Sequence, residues 1–254
     1  MGVRLAIITD LHYGRDTGKV RGPEALTLLS QIMAQIHHLE PDAVLELGDR
    51  LTDENPVVDR LHLLEVAQEF KRLPYRRHHI SGNHDILPKA DQEAILSANL
   101  GNHLDEIGGW TLVFLESIDG TTGGLLTKKT LAWLEETLAQ TKNPVVIFSH
   151  QPLHGQLLEG NPYFESDYRE HACAKGANEA RAIFAASGKV RLCVSGHAHW
   201  FDHRQVAGID YVTLLGPTES HWTDGKASGA WAVLELDEKI RLEQFGGSPQ
   251  KITI

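Results

Sequence analysis

Five short apolar runs in this chain each break off into the same few polar residue types, and the order of those breaks limits the fold more than any other feature. Residues 3–9 run into Asp10 and His12, and residues 43–47 run into Gly48 and Asp49. Residues 77–80 lead to Gly82, Asn83, His84 and Asp85. The run 145–149 ends on His150, and 192–195 on Gly196, His197, Ala198 and His199. Short, β-branched runs bounded by turn residues read as buried strands. A further strand is expected at 112–115. Helical periodicity fills the intervals at 23–39, 56–72, 127–140 and 178–187. Strands alternating with helices imply an α/β protein with a mainly parallel sheet covered by helices. After residue 200 the pattern changes. Residues 203–215, 229–236 and 239–245 read as consecutive antiparallel strands, forming a second sheet or an extension of the first. No repeat or linker interrupts the chain, so residues 1–254 are expected to be one domain. The loop 151–176 is long enough to suggest a functional role.

In open α/β sheets the carboxyl ends of the strands line the ligand crevice. Five polar clusters at five strand ends therefore converge on one place. Their side chains are oxygen and nitrogen donors, a set that suits Mn, Fe, Co or Zn without selecting among them. Asp10 and His12 are two residues apart, as are His197 and His199, so extended backbone would point each pair to one side. Two such pairs with Asp49, Asn83 and His150 are too many ligands for one ion. The economical arrangement is two ions sharing Asp49, with Gly48 permitting the tight turn that presents it. Taken singly, most of these residues have bland readings: a Gly-Asp turn, a satisfied histidine, a helix-start Asp85. The ordered set of five is what outweighs them.

Bulk properties narrow the partners. The formal net charge is −10 and no basic tract is present, which argues against a protein that covers nucleic-acid phosphates. No apolar run spans a bilayer, and the first ten residues fit neither a signal peptide nor myristoylation, since residue six is Ala6. With only Cys173 and Cys193, a disulfide scaffold or cysteine zinc site is not expected. Cytoplasmic residence is the expectation, with no membrane and no nucleic-acid polymer as partner. A homodimer is compatible with such a chain.

The blocks Asp10/His12, Gly48/Asp49, "GNHD", His150 and "GHAH" resemble those of the calcineurin-like metallophosphoesterase superfamily. The resemblance spans residues 10–199. It implies a four-layer αββα sandwich and a dinuclear site holding two divalent or mixed-valence ions (Mn, Fe, Zn or Co). One ion would take Asp10, His12, Asp49 and His199, and the other Asp49, Asn83, His150 and His197. The length, "ITDLH", "ANEARAIF" and "LLGPTES" are most similar to the bacterial class III cyclic nucleotide phosphodiesterases. Arg50 departs from that branch, which usually has an apolar residue there. The continuation "RLTDENP" lacks the V-D-R-G of the protein Ser/Thr phosphatases.

The expected activity is hydrolysis of a small phosphodiester, a cyclic nucleotide or another, by a hydroxide shared between the two ions. Asp10, Asp49 and that hydroxide cancel three of four metal charges. The neutral Asn83 leaves the site attractive to a phosphate anion. His84 is expected to protonate the leaving group and Asp85 to orient or charge the His84 ring. Arg50 and His154 are candidate substrate contacts, Arg50 with a structural ion pair as its alternative. The loop 151–176, which carries Tyr163, Phe164 and Tyr168, and the segment 218–222 are expected to bear on specificity. Alternatives on the same core are a phosphomonoesterase, a nucleotide pyrophosphatase or a non-catalytic metal-binding scaffold.

Overall fold

A computed structural model describes residues 2–118, 124–155, 158–164 and 171–254. Two six-stranded sheets stack face to face. The first contains β1 (Val3–Ile8), β2 (Ala43–Glu46) and β3 (Arg76–His79), together with β10 (Trp231–Leu236), β11 (Ile240–Phe245) and β12 (Gln250–Thr253). Its spatial order is β12-β11-β10-β1-β2-β3. The second contains β4 (His103–Ile107), β5 (Trp110–Leu115), β6 (Val145–Ser149), β7 (Val190–Ser195), β8 (Asp202–Val206) and β9 (Ile209–Thr213). Its order is β4-β5-β6-β7-β9-β8.

The layers follow from strands whose two faces are both buried, which is why they read as unbroken apolar runs. In β1, Leu5 and Ile7 point between the sheets, where Leu45, Phe114, Phe148 and Val194 also lie. Ala6 and Ile8 point outward to a helix-covered core with Leu29, Ile32, Ile36 and Val66. Those residues come from α1 (Ala25–Leu39) and α2 (Pro56–Lys71). On the opposite side, Val113, Leu115 and Ile147 pack with Leu134 and Phe184, from α4 (Lys128–Gln140) and α5 (Ala177–Ser187). The order of layers is therefore αββα. The start of α2 is set locally: Asn55 accepts the amides of Val57 and Val58 at 3.1 Å each, and Pro56 opens the first turn.

The C-terminal strands do not form the single antiparallel set expected from sequence. β8 and β9 make a hairpin in the second sheet, with β9 parallel to β7. The chain then crosses to the first sheet, where β10 runs antiparallel to β1. Two strands escaped the sequence pattern, β4 and β12, both at sheet edges and both half-exposed and polar. A short helix, α3 (Lys89–Leu96), follows the "GNHD" loop. Among the described residues no helix is long and apolar enough to cross a membrane.

Candidate metal centre

The parallel strands bring their carboxyl ends to one edge, and the loops beyond them continue the ladder. Asp10 N donates to Gly48 O at 3.0 Å, His12 N to Asp49 O at 2.9 Å, and Gly196 N to His150 O at 3.0 Å. The donors are not on extended backbone, as the i, i+2 spacing suggested. Asp10, His12, Asp49, His197 and His199 all have positive φ, between 46° and 69°. Each such residue costs on the order of 1 kcal/mol, a strain typical of functional sites. The left-handed turns separate His197 from His199, which face different partners, while Asp10 and His12 stay together. Close approach explains the glycines. A Cβ at Gly82 would lie 2.1 Å from Asp49 Oδ1, and one at Gly48, where φ is +95°, would lie 2.8 Å from His150 Nδ1.

Asp10, His12 and His199 offer ligand atoms within 4.8 Å of one another, as do Asp49, His150 and His197. Asp49 lies between the two groups: its Oδ2 is 3.1 Å from His150 Nε2 and 3.7 Å from His12 Nε2. Its Oδ1 accepts the His84 amide at 2.8 Å. Asp10 is held by the Thr9 hydroxyl at 2.6 Å and by the His197 amide. The imidazoles are steered from behind. His150 Nδ1 donates to Leu47 O at 2.8 Å, and His197 Nε2 to His171 O at 2.9 Å. His199 Nδ1 donates to Glu219 Oε2 at 3.2 Å. The other nitrogens face one another, His12 Nε2 to His199 Nε2 at 3.2 Å and His150 Nε2 to His197 Nδ1 at 3.2 Å. Asn83 Oδ1 is buried with no hydrogen-bond partner among the described residues.

The electrostatics describe a site arranged around positive charge. Burial favours a neutral Asp49, yet His150, His84 and His12 hold it well below the usual carboxylate range. Burial raises Asp10. Burial pushes His12 well down and His197 down to about 3, so both keep a lone pair at neutral pH. Burial works against a charged His150, but Asp49, Asp10 and the Leu47 carbonyl lift it to about 9. Without an ion His150 therefore carries a proton that metal binding would displace. The four imidazoles, two carboxylates and an orphaned amide oxygen are a donor set that suits divalent cations. The residues fit such ions.

Beside this centre lies a cleft of about 270 Å³, lined by Asp49, Asn83, His84, Tyr163, Phe164, His171, His197 and His199. His84 packs edge-on to His12 at 5.1 Å, half open to the cleft. The carboxylate near its ring is Asp53, whose Oδ2 is 3.3 Å from Nδ1. The sequence assigned that place to Asp85, which instead faces inward. It accepts the amides of Asp49, Arg50 and Gly82 and lies 3.2 Å from Arg50 Nη1. It supports the loop beneath Asp49. Arg50 is fully buried, bound to Glu46, Gln92 and the Ile80 carbonyl, and cannot reach a substrate. His154 is likewise buried, 3.0 Å from Asp202 and packed on Tyr211, and is not part of the cleft wall. Tyr168 lies outside the described residues.

Two residues of the centre gave no signal of their own in sequence. Asp53 is one acid among several in "DRLTDENP", and only the turn after β2 brings it to His84. Glu219 lies in the segment singled out for specificity, but its pairing with His199 needs the fold.

The family model for calcineurin-like phosphoesterases matches residues 3–201. A "Probable cyclic nucleotide phosphodiesterase" of Synechococcus sp. is 26% identical over 253 residues, covering 93% of this chain and 89% of that protein. The glycerophosphodiester phosphodiesterase GpdQ of Enterobacter lignolyticus is 28% identical over 222 residues, covering 83% and 76%. Among solved structures, a dimetal phosphatase from Danio rerio superposes with a TM-score of 0.79 at 17% identity, covering 99% of this chain and 98% of that one.

Proposed function

This chain belongs to the calcineurin-like phosphoesterase family and is a metal-dependent phosphoric ester hydrolase, and from that premise we propose that it holds two ions and hydrolyses a small phosphodiester. Residues 1–254 act as one catalytic domain in this reading, since β10 pairs with β1 and carries β11 and β12 into the first sheet. Asp10, His12, Asp49 and His199 hold one ion, and Asp49, Asn83, His150 and His197 the other. The observation that carries this is the position of Asp49 Oδ2 between two groups of potential ligand atoms. When bound, the ions supply Lewis acidity to the phosphoryl oxygens and lower the pKa of a water molecule.

The protein's own groups do the rest. Asp49 is fixed by the His84 amide and by Asp85 beneath its loop, so its carboxylate need not reorganise. The neutral Asn83 adds a ligand without cancelling charge. His84 holds the proton for the leaving-group oxygen at Nε2, with Nδ1 beside Asp53. A positioned acid of this kind contributes roughly 10²–10⁴-fold.

Diesters are favoured over monoesters: among the described residues the cleft is lined without Lys or Arg, which suits a single negative charge. The names of the relatives, a cyclic nucleotide and a glycerophosphodiester phosphodiesterase, point the same way. The test is a comparison of bis-aryl and mono-aryl phosphate hydrolysis on manganese-reconstituted protein, with elemental analysis of the same sample. Faster diester turnover with two ions per chain is expected. Activity confined to the monoester would replace this reading with a phosphomonoesterase, and activity confined to nucleoside diphosphate esters with a pyrophosphatase.

A further inference from the structure

We propose that Glu219 is the positioning residue of the Asp10/His12/His199 position and tightens that position's hold on its ion. Glu219 is 1% exposed, and His199 is its one ion-pair partner among the described residues. A buried carboxylate with no Lys or Arg beside it is costly unless its charge is met elsewhere. Here the path is through the imidazole: Glu219 Oε2 accepts His199 Nδ1–H, and His199 Nε2 faces His12 Nε2 and Asp10 Oδ1 at 3.2 and 3.7 Å. A cation at Nε2 supplies the counter-charge, and the carboxylate in turn strengthens the imidazole as a donor.

The carboxylate is itself held rigidly. Its Oε1 accepts the His221 amide at 2.6 Å, and its Oε2 also accepts the Tyr163 hydroxyl. Its backbone donates to Gly216 and accepts from Ser228. The same segment fixes His199 again, through Trp222 Nε1 on the His199 carbonyl at 2.8 Å. Tyr163 then stacks on the His199 ring at 4.3 Å. Among the described residues, the two histidines of the other position have no carboxylate behind them. Neutral carbonyls steer them, Leu47 O behind His150 and His171 O behind His197, and their group is completed by the uncharged Asn83. Glu219 therefore strengthens the Asp10/His12/His199 position and leaves the one backed by carbonyls unaffected.

This inference rests on the paired-ion reading, and one titration separates the two. Manganese binding to metal-free full-length protein is measured by calorimetry for the parent, Glu219→Gln and Tyr163→Phe. Glutamine keeps the size and an acceptor oxygen but removes the charge, so a merely structural Glu219 would tolerate it. The parent is expected to bind in two steps. Glu219→Gln is expected to weaken one step about 10–100-fold and leave the other unchanged. Tyr163→Phe, which leaves the carboxylate free to serve His199 alone, is expected to keep both steps within a few-fold. A parent that binds one ion overturns the paired reading. A two-step parent with an unchanged Glu219→Gln isotherm, or with both steps weakened equally, overturns only the role given to Glu219.

Discussion

His12, His150, His197 and His199 at the strand ends, and His78 with His103 at the edge of the sandwich, are two sets of imidazoles in mutual contact. In the first set, ring nitrogens face one another and two carboxylates across a gap. In the second, His103 Nδ1 donates to Gly101 O at 2.8 Å. His78 then meets His103 Nε2 at 3.2 Å and Asp105 Oδ2 at 3.1 Å. Both rings also stack on Phe114, at 4.4 and 4.6 Å. His78 comes from β3 and His103 from β4, the edge strands of the two sheets, so the contact ties the open edges together. What separates the sets is where the nitrogens point. Ring nitrogens aimed at a common space shared with carboxylates form a cation site, whereas nitrogens each engaged by a protein partner make a packing unit. Residue type alone does not distinguish them.

The comparison can be broken most severely at Asp49. Asp49→Ala removes the ligand common to both ion positions, so elemental analysis is expected to find both ions lost and turnover reduced to background. Two ions retained per chain would refute the shared carboxylate. The folded state, read by circular dichroism, should survive, because the His78/His103 contact and the apolar core between the sheets are untouched.

His84→Ala has a smaller effect of a different kind. His84 touches the centre but is absent from the proposed ligand sets, so both ions should remain while kcat falls roughly 10²–10⁴-fold. Parent-like kcat would remove His84 from the proton-transfer role.

The smallest effect sharpens the other half of the comparison. Burial, then the neighbouring His103, pushes His78 down to about 4, against about 6.5 unfolded. Below pH 6.5 the unfolded chain takes up a proton that the folded one refuses, so stability falls as pH drops from about 6.5 to about 4. Between pH 7 and 5 this amounts to roughly 2 kcal/mol. In His78→Leu the loss measured by urea unfolding of metal-free protein should shrink by about that much, with metal stoichiometry unchanged. An identical acid slope in parent and variant would show that the edge contact does not titrate with folding.

Much of this was legible in the sequence for a definite reason. Cation chemistry accepts few side-chain types, and a parallel sheet places them directly after apolar runs, so "GNHD" and "GHAH" stand out against ordinary turns. The buried strands were legible for a related reason: β1, β2, β6 and β7 are covered on both faces and read as continuous apolar runs. The edge strands β4 and β12 are polar and half-exposed, and nothing local marks them. Arg50 shows the limit for single residues. Its neighbourhood in sequence allowed either a phosphate contact or an ion pair, and its complete burial against Glu46 and Asp85 decided for the ion pair.

By itself, the sequence determined the alternation of strands and helices, the donor types, and their order along the chain, because these depend on periodicity and composition within a few residues. Only the tertiary structure decided that the last strands divide between two sheets, that Asp53 rather than Asp85 accompanies His84, and that Glu219 stands behind His199. Those relations join residues separated by up to some two hundred positions, and their geometry depends on loop paths and left-handed turns. No local pattern encodes such a path, because it is set by the packing of the whole sandwich.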